Sequence, residues 1–297
     1  MKNNHIIMKQ SLILILFLSI NSLYSQVLIT NSSGVPDSTA MLEVKSTEKG
    51  FLPPRMTATQ RDAIVNPTPG LIVYCTDCLE MQMFNYTSWT NMIGLPPSVP
   101  IPTITIGSQT WMANNVDVGT MINGTTTMTN NNILEKYCYN DDPTNCTTYG
   151  ALYQWDEMMQ YVTTAGTQGV CPTFFHLPTD DEWKTLEIHL GMTQAQADAT
   201  GYRGTDQGSQ LAGNEPLWTN GNLDQNGAFG SSGFTGLPGG YRESSGSFID
   251  QSNGAYLWPS SESGGNAWFR YLYYNDPKVF RGVGSKSSGF SVRCVQD

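Results

Sequence analysis

The chain has 297 residues, which is enough for two domains of about 100–200 residues each. Only 13% of its residues are charged, while 29 glycines, 16 prolines and 11% aromatic residues favour a loop-rich fold with short strands over a helical bundle or a coiled coil. A formal charge of −10 gives no electrostatic basis for binding a nucleic acid. A hydrophobic fraction of 39% supplies a packed core and excludes a wholly disordered chain.

Residues 1–25 have the pattern of a secretory signal peptide. Lys2 and Lys9 give a positive n-region, and an apolar stretch of about ten residues follows. That stretch is too short to span about 30 Å of hydrocarbon as a lasting helix, so we expect cleavage after Ser25, with an uncleaved anchor as the alternative. The sequence therefore predicts an exported protein, secreted or held at the cell surface, without a membrane span after cleavage.

The cysteine count is even, which in an exported chain indicates disulfide bonds. Short separations favour Cys75–Cys78 and Cys138–Cys146, which leaves Cys171–Cys294, although six cysteines allow other pairings. A redox or zinc motif is the alternative for the first pair. Redox motifs of this spacing open a helix, whereas the flanking residues predict a hairpin, and a zinc site would need a second pair of cysteines or histidines. A structural disulfide is therefore favoured.

A proline-rich stretch at 95–102 predicts an extended linker between two regions of different character. Residues 26–94 predict a small β-rich unit, and residues 103–297 predict a second domain that holds most of the aromatic residues. The first unit has little core of its own. We expect it to act as a spacer or attachment unit and to be stabilised by a partner or by homo-oligomeric assembly.

Two helices are predicted in the second domain. Apolar residues recur at helical spacing over 149–162, and a capping box of Thr179 and Glu182 opens a helix whose buried stripe begins at Trp183. After residue 200 helical spacing ends, and short apolar and aromatic runs alternate with Gly, Ser and Asn, which predicts a β region. The predicted fold class is α+β.

Eight segments of the second domain form a series: Trp111–Val116, Tyr137–Asp142, Tyr149–Asp156, Gly169–Pro172, His176–Trp183, Gly233–Tyr241, Trp258–Glu262 and Gly289–Val295. In this order they resemble the Fibrobacter succinogenes major paralogous domain. The resemblance implies a C-type-lectin-like fold of two helices and short antiparallel strands, related to the formylglycine-generating enzymes. Residues 26–94, especially 50–57, resemble a leader region of Bacteroidota surface proteins and tail-fibre-like proteins.

Catalytic residues are scarce in this sequence. The formylglycine-generating enzymes need a reactive cysteine pair, and the corresponding stretch here, Trp268–Tyr274, contains none. His176 and His189 are the histidines after the signal; we expect the first to pack or hydrogen-bond and the second to face solvent. We expect no enzymatic activity. A divergent formylglycine-type oxidase or another enzyme on exported substrates is one alternative, and a receptor diversified by a retroelement is another.

The strongest candidate for a binding surface runs from Trp258 to Arg281. Its aromatic rings, amides and arginines suit stacking on sugars or anchoring a protein interface. The predicted ligand-binding residues are Trp258, Asn266, Trp268, Arg270, Tyr271, Tyr273, Tyr274 and Asn275. In a strand over 268–274, successive side chains would point to opposite sides, so the candidates in this range lie on two sides, one of which must be core. The expected function is adhesion or binding, through a lectin-like face, to a glycan or protein ligand.

Two loops carry weak calcium candidates. The candidate ligands are Asp141, Asp142, Asn222, Asp224 and Asn226. The second loop lacks the acid that a calcium loop has at its twelfth position, and ordinary Asx turns are the alternative for both loops. No other cofactor is predicted.

Overall fold

The computed structural model describes residues 26–30, 33–92 and 101–297. The chain divides into two compact units, one ending at Pro100 and the other beginning at Ile101. The predicted signal peptide and residues 95–100 of the predicted linker lie outside the described residues. In the described ranges, we find no helix with the length and apolar character needed to cross a membrane.

The first unit contains two small sheets and one helix. Its elements are β1 (Val27–Thr30), β2 (Leu42–Lys45), β3 (Arg55–Met56), α1 (Ala58–Asp62), β4 (Ile72–Cys75), β5 (Glu80–Phe84) and β6 (Trp89–Asn91). Strands β1 and β2 form a parallel ribbon, and the other strands form a sheet in the order β3-β4-β5-β6. The predicted hairpin is confirmed, because Cys75 and Cys78 are bonded across the turn between β4 and β5.

The second unit contains many short strands. They are β7 (Thr103–Ile106), β8 (Gln109–Met112), β9 (Thr120–Met121), β10 (Glu135–Lys136), β11 (Leu152–Gln154), β12 (Phe175–His176), β13 (Gly201–Arg203), β14 (Gly239–Arg242), β15 (Phe248–Gln251), β16 (Gly254–Leu257), β17 (Glu262–Ser263), β18 (Asn266–Tyr273), β19 (Asp276–Gly284), β20 (Gly289–Ser291) and β21 (Val295–Gln296). Its α-helices are α2 (Pro143–Tyr149), α3 (Trp155–Met158), α4 (Asp180–His189), α5 (Gln194–Asp198) and α6 (Gln207–Leu211).

A nine-stranded sheet dominates this unit, in the order β11-β20-β14-β16-β18-β19-β13, with β15 paired to β14 and β17 paired to β18. A four-stranded sheet in the order β12-β21-β8-β7 joins the last strand to the first two, and β9 pairs with β10. Successive residues of β16 enter different apolar cores, since Tyr256 belongs to one and Ala255 and Leu257 to another. Around β16 the large sheet is therefore packed on both faces.

The prediction of an α+β, two-helix C-type-lectin-like fold is wrong. Of the described residues, 31% lie in strands and 16% in short helices. The helix predicted over 149–162 is absent because Gly150, with φ 83°, ends α2, and β11 then pairs with β20 before the single turn of α3. Leu152 and Tyr153 are both buried, and an apolar run buried on both sides does not distinguish a strand from a helix.

The second predicted helix is confirmed as α4. Thr179 accepts a hydrogen bond from the Glu182 backbone, and the Glu182 side chain accepts one from the Thr179 backbone, which completes the capping box. The remaining disulfide predictions are also confirmed, for Cys138–Cys146 and Cys171–Cys294. The latter bond ties the segment before β12 to the segment before β21, and the two cysteines lie 123 positions apart in sequence.

Five buried charged side chains join α4 to the edge of the large sheet. We call Asp180, Glu187, Arg203, Arg270 and Arg281 the ion cluster. Asp180 Oδ1 accepts hydrogen bonds from Arg270 Nη1 at 2.7 Å and from Arg281 Nε at 2.9 Å. Glu187 accepts from Arg270 Nε at 2.7 Å and from both terminal nitrogens of Arg203 at 2.8 and 2.9 Å. Burial opposes the charge on Asp180, but the arginines outweigh it and hold its pKa well below its usual range.

The long-range disulfide should contribute more stability than the local one. In the chain-entropy model, closing 123 residues stabilises by about 4–5 kcal/mol and closing 8 residues by about 2–3 kcal/mol. We predict that the double replacement of Cys171 and Cys294 by alanine lowers the free energy of unfolding by about 2 kcal/mol more than the same replacement of Cys138 and Cys146. Urea titration followed by tryptophan fluorescence measures both; equal losses would contradict the prediction.

The ion cluster should make stability depend on Asp180. We predict that Asp180→Asn lowers the free energy of unfolding by about 3–5 kcal/mol, because Arg281 then keeps a buried charge without its carboxylate and Arg270 keeps only Glu187. Asp181→Asn is the matched control: this neighbouring side chain is exposed and is expected to matter by less than about 1 kcal/mol.

The same pair of variants tests the pH dependence. The folded-state pKa of Asp180 lies below the value of 3.8 for an unperturbed carboxyl. Its stabilisation is therefore complete above that value and is lost as the pH falls towards the folded-state pKa. The gap in unfolding free energy between the unsubstituted protein and Asp180→Asn should narrow below about pH 4. A gap that is constant down to pH 2 would exclude an ionised, arginine-bound Asp180.

Candidate functional site

Five aromatic side chains form a row across five adjacent strands of the large sheet. The strand register places Tyr256 opposite Tyr271, Tyr271 opposite Phe280, and Phe280 opposite Tyr202. Tyr241, on β14, completes the row with its ring centre 4.5 Å from that of Tyr256. We call these five residues the aromatic ladder. Cross-strand neighbours of this kind are the unit of side-chain packing on a sheet.

The rings of the ladder are held in place by one another. Tyr256 and Tyr271 stack with ring centres 4.2 Å apart, and Phe280 meets Tyr202 edge to face at 5.2 Å. A glycine leaves room for the rings at two points: a Cβ on Gly254 would lie 2.6 Å from the Tyr271 ring, and a Cβ on Gly282 would lie 2.6 Å from the Phe280 ring. The ladder is therefore ordered by its own sheet.

Each residue of the aromatic ladder on β13, β18 and β19 is the sequence neighbour of an arginine that belongs to the ion cluster. Arg203 follows Tyr202, Arg270 precedes Tyr271, and Arg281 follows Phe280. Successive side chains of a strand point to opposite faces. The three arginines therefore enter the ion cluster on one face of the sheet while their aromatic neighbours line the other face.

Carboxylates flank the hydroxyl groups of the ladder. Tyr256 donates a hydrogen bond to Asp250 at 2.7 Å, and Tyr241 donates one to Glu243 at 3.4 Å. Burial, together with the bond to Asp250, raises the pKa of Tyr256, and burial also raises the pKa of Tyr271. The phenols therefore stay protonated at physiological pH. Tyr202, at the open end of the row, has 42% of its surface exposed.

The structure separates the predicted ligand-binding residues. Trp258 is fully buried, stacks on Phe290 at 4.1 Å and donates its indole N–H to a backbone carbonyl. Arg270 is fully buried in the ion cluster. Neither side chain reaches the surface, so both act in packing. Trp268 is half-buried beneath the guanidinium of Arg281, whose carbon lies 3.6 Å from the ring centre.

The other predicted residues divide between the ladder and the ends of β18. Tyr271 is a rung, and Tyr273 touches it with ring centres 5.7 Å apart. Tyr274 and Asn275 lie in the turn after β18, and Asn266 is exposed at its start. The sequence did not predict Tyr202, Tyr241 and Tyr256 as part of the surface. Each stands alone in a short strand next to glycine or alanine, and only the order of the strands brings them together.

The calcium candidates make hydrogen bonds within the protein, and Asp142 and Asn226 accept from the backbone two residues further on, as Asx turns do. Asp141 accepts from Gly124 N at 2.7 Å, and Asp142 caps α2 by accepting from Thr144 N at 2.9 Å. In the second loop the contacts are Asp224 with Gly221, Asn226 with Ala228, and Asn222 with Asn275. Calcium binding at these loops stays a prediction.

In the described ranges, one group of side chains lies close enough together to hold a metal ion, but its two cysteines form a disulfide bond. The sulfurs of Cys75 and Cys78 lie near the Asp77 carboxylate, but the two cysteines are bonded to each other. That bond, placed between two strands, supports the structural interpretation of this motif.

His176 has the hydrogen-bonding role expected of it. Its Nε2 lies 2.8 Å from Glu182 Oε1 and its Nδ1 lies 2.8 Å from Asp297 Oδ1. Burial opposes protonation of the ring, but the bonds to these two carboxylates outweigh it and raise the pKa of His176. His189 is exposed, as expected. His176 therefore connects β12, α4 and the residue after β21.

Comparison with known proteins identifies two regions of the chain. Residues 29–106 match a family model described as a phage tail like trimerisation region. Residues 104–296 match the model described as the Fibrobacter succinogenes major domain. No curated protein and no solved structure matches the chain. Because the second match covers more than half of the sequence, the chain belongs to the Fibrobacter succinogenes major domain family.

Proposed function

We propose that this chain is an exported, cell-surface-associated adhesion protein without catalytic activity, and that the aromatic ladder is its ligand-binding face. The observation that carries the proposal is the in-register row of rings, which the sheet orders before any ligand arrives. A preorganised face loses little side-chain entropy on binding. Membership of the Fibrobacter succinogenes major domain family fits an exported protein.

The chemistry of the ladder suits a neutral glycan best. Sugar rings stack their C–H faces on exposed aromatic rings, and protonated phenols exchange hydrogen bonds with sugar hydroxyls. Asp250 and Glu243 add acceptors at the rim, and together with the chain's formal charge of −10 they disfavour an acidic ligand. An aromatic anchor of a protein partner is the alternative occupant.

The disulfide bonds support the non-catalytic proposal over one of its alternatives, the formylglycine-type oxidase. A formylglycine-type oxidase needs a reactive pair of thiols, and all six cysteines of this chain are joined in three disulfides. The retroelement-diversified receptor concerns how the sequence arose. It would use the same surface for binding, so it does not compete with the proposed chemistry.

Two positions test the ladder as a binding face: Tyr202, its exposed member, and Tyr273, a half-buried tyrosine beside Tyr271. We predict that Tyr202→Ala combined with Tyr273→Ala weakens binding to a neutral glycan by about tenfold, because each lost ring removes one stacking contact. The full chain is first screened on a glycan array, and the best glycan is then titrated by biolayer interferometry.

Tyr86→Ala is the matched control, because this tyrosine is 80% exposed in the first unit and should leave the affinity unchanged. An array without any bound glycan would favour a protein ligand. Equal affinities of the unsubstituted and doubly substituted chains would show that the ladder is not the binding face.

We also propose that the first unit assembles the chain into a homotrimer. Its sequence matches a phage tail like trimerisation region. Of the 18 large apolar side chains that are exposed in the described ranges, 12 lie in this unit, although it is much the smaller of the two. Such a concentration of exposed apolar surface marks a protein interface.

The assembly can be measured directly. We predict that the purified full chain elutes as one species with three times the mass of the chain in size-exclusion chromatography with light scattering. The exposed apolar side chains of the first unit would then lie between copies, away from water. A single-chain mass at micromolar concentration would contradict the trimer and leave the ladder proposal untouched.

A further inference from the structure

One face of the ribbon β1–β2 is apolar and exposed. In the parallel register, Val27 lies opposite Leu42 and Ile29 lies opposite Val44. Paired residues, and residues two apart along a strand, point to the same face of a sheet. These four side chains therefore form one surface. The exposed fraction is 49% for Val27, 59% for Leu42, 57% for Ile29 and 44% for Val44. We call it the ribbon face.

The ribbon needs a partner on this face. A two-stranded sheet is marginal in water unless an apolar face is covered, and the other face of this one carries Leu28 with Thr30, Glu43 and Lys45. The ribbon thus has one fully apolar face and one face on which polar and charged side chains predominate. Nothing in its own pair of strands can cover the apolar side, because both strands contribute to it.

We propose that the ribbon face is the surface through which copies of this chain meet, with three ribbons turned towards a common three-fold axis. The inference rests on the proposed homotrimer and assigns its contact. The choice of a second copy as the occupant comes from the match to a trimerisation region, which covers β2 and the end of β1. In a closed ring, every copy presents the same face to the axis.

The surroundings of the ribbon face fit a contact of this kind. Ile29 and Val44 line a shallow depression together with Lys45, Ser46 and Lys49. The depression therefore combines apolar side chains with polar and basic ones, as protein interfaces do. Its lysines would remain in water when the apolar side chains of three copies are buried together.

The test places like charges at the proposed axis. We expect Ile29→Lys and Ile29→Glu, each in the full chain, to raise the dissociation concentration of the trimer at least about 100-fold, because each copy brings the same charge to the axis. An equal mixture of the two variants should recover part of the association, since each mixed trimer has two contacts between unlike charges and one between like charges. Glu43→Lys, on the opposite face of the ribbon, is the matched control and should remain trimeric.

Sedimentation velocity gives the masses, and near-ultraviolet circular dichroism reports whether the second domain stays folded. If the unsubstituted chain is a monomer, both the trimer and this inference fail. If it is a trimer and the Ile29 variants are trimers too, the trimer stands and the ribbon face is not its contact. Dissociation that mixing does not even partly reverse also overturns the inference, because the substitution then acts by unfolding the ribbon.

Discussion

The bond between Asp180 and two buried arginines is the interaction on which the second domain depends. Asp180 opens helix α4, while Arg270 and Arg281 belong to the central hairpin β18–β19. Removing Asp180 would leave the buried guanidinium of Arg281 without the carboxylate that it pairs with, and would leave Arg270 paired with Glu187 alone. Each arginine is also the sequence neighbour of a rung of the aromatic ladder. The same contact that fixes helix to sheet on one face therefore fixes the spacing of the rings on the other.

Local signals in the sequence predicted local structure well. The capping box of Thr179 and Glu182 marks the start of α4 because its hydrogen bonds lie within four residues. The hairpin around Cys75 and Cys78 and all three disulfides were predicted from spacing and from the flanking strands. The family was also recognised from short segments in order, and the family match covers residues 104–296.

The fold class and the composition of the surface depend on contacts between distant residues, which the sequence does not display. Alternation along β18 indicated that one side is core but not which side. That choice is made by Asp180 and Glu187, which lie more than 80 residues before Arg270 and remove it from solvent. Likewise, Tyr202 and Tyr241 enter the ladder only because β13 and β14 lie in the same sheet as β18.

The two faces of the hairpin β18–β19 have different roles, and this difference has an evolutionary consequence. Glycines at 254 and 282 and arginines at 270 and 281 hold the sheet in place, and Tyr256 anchors the aromatic ladder in the core, whereas Tyr202 at the end of the ladder is exposed. Exchange of the exposed residues can then change the binding specificity, while the packing of the glycines and of the ion cluster stays the same. Proteins descended from one such scaffold would then recognise different targets with little loss of folding stability. Variable loops on other rigid folds change binding specificity in the same way.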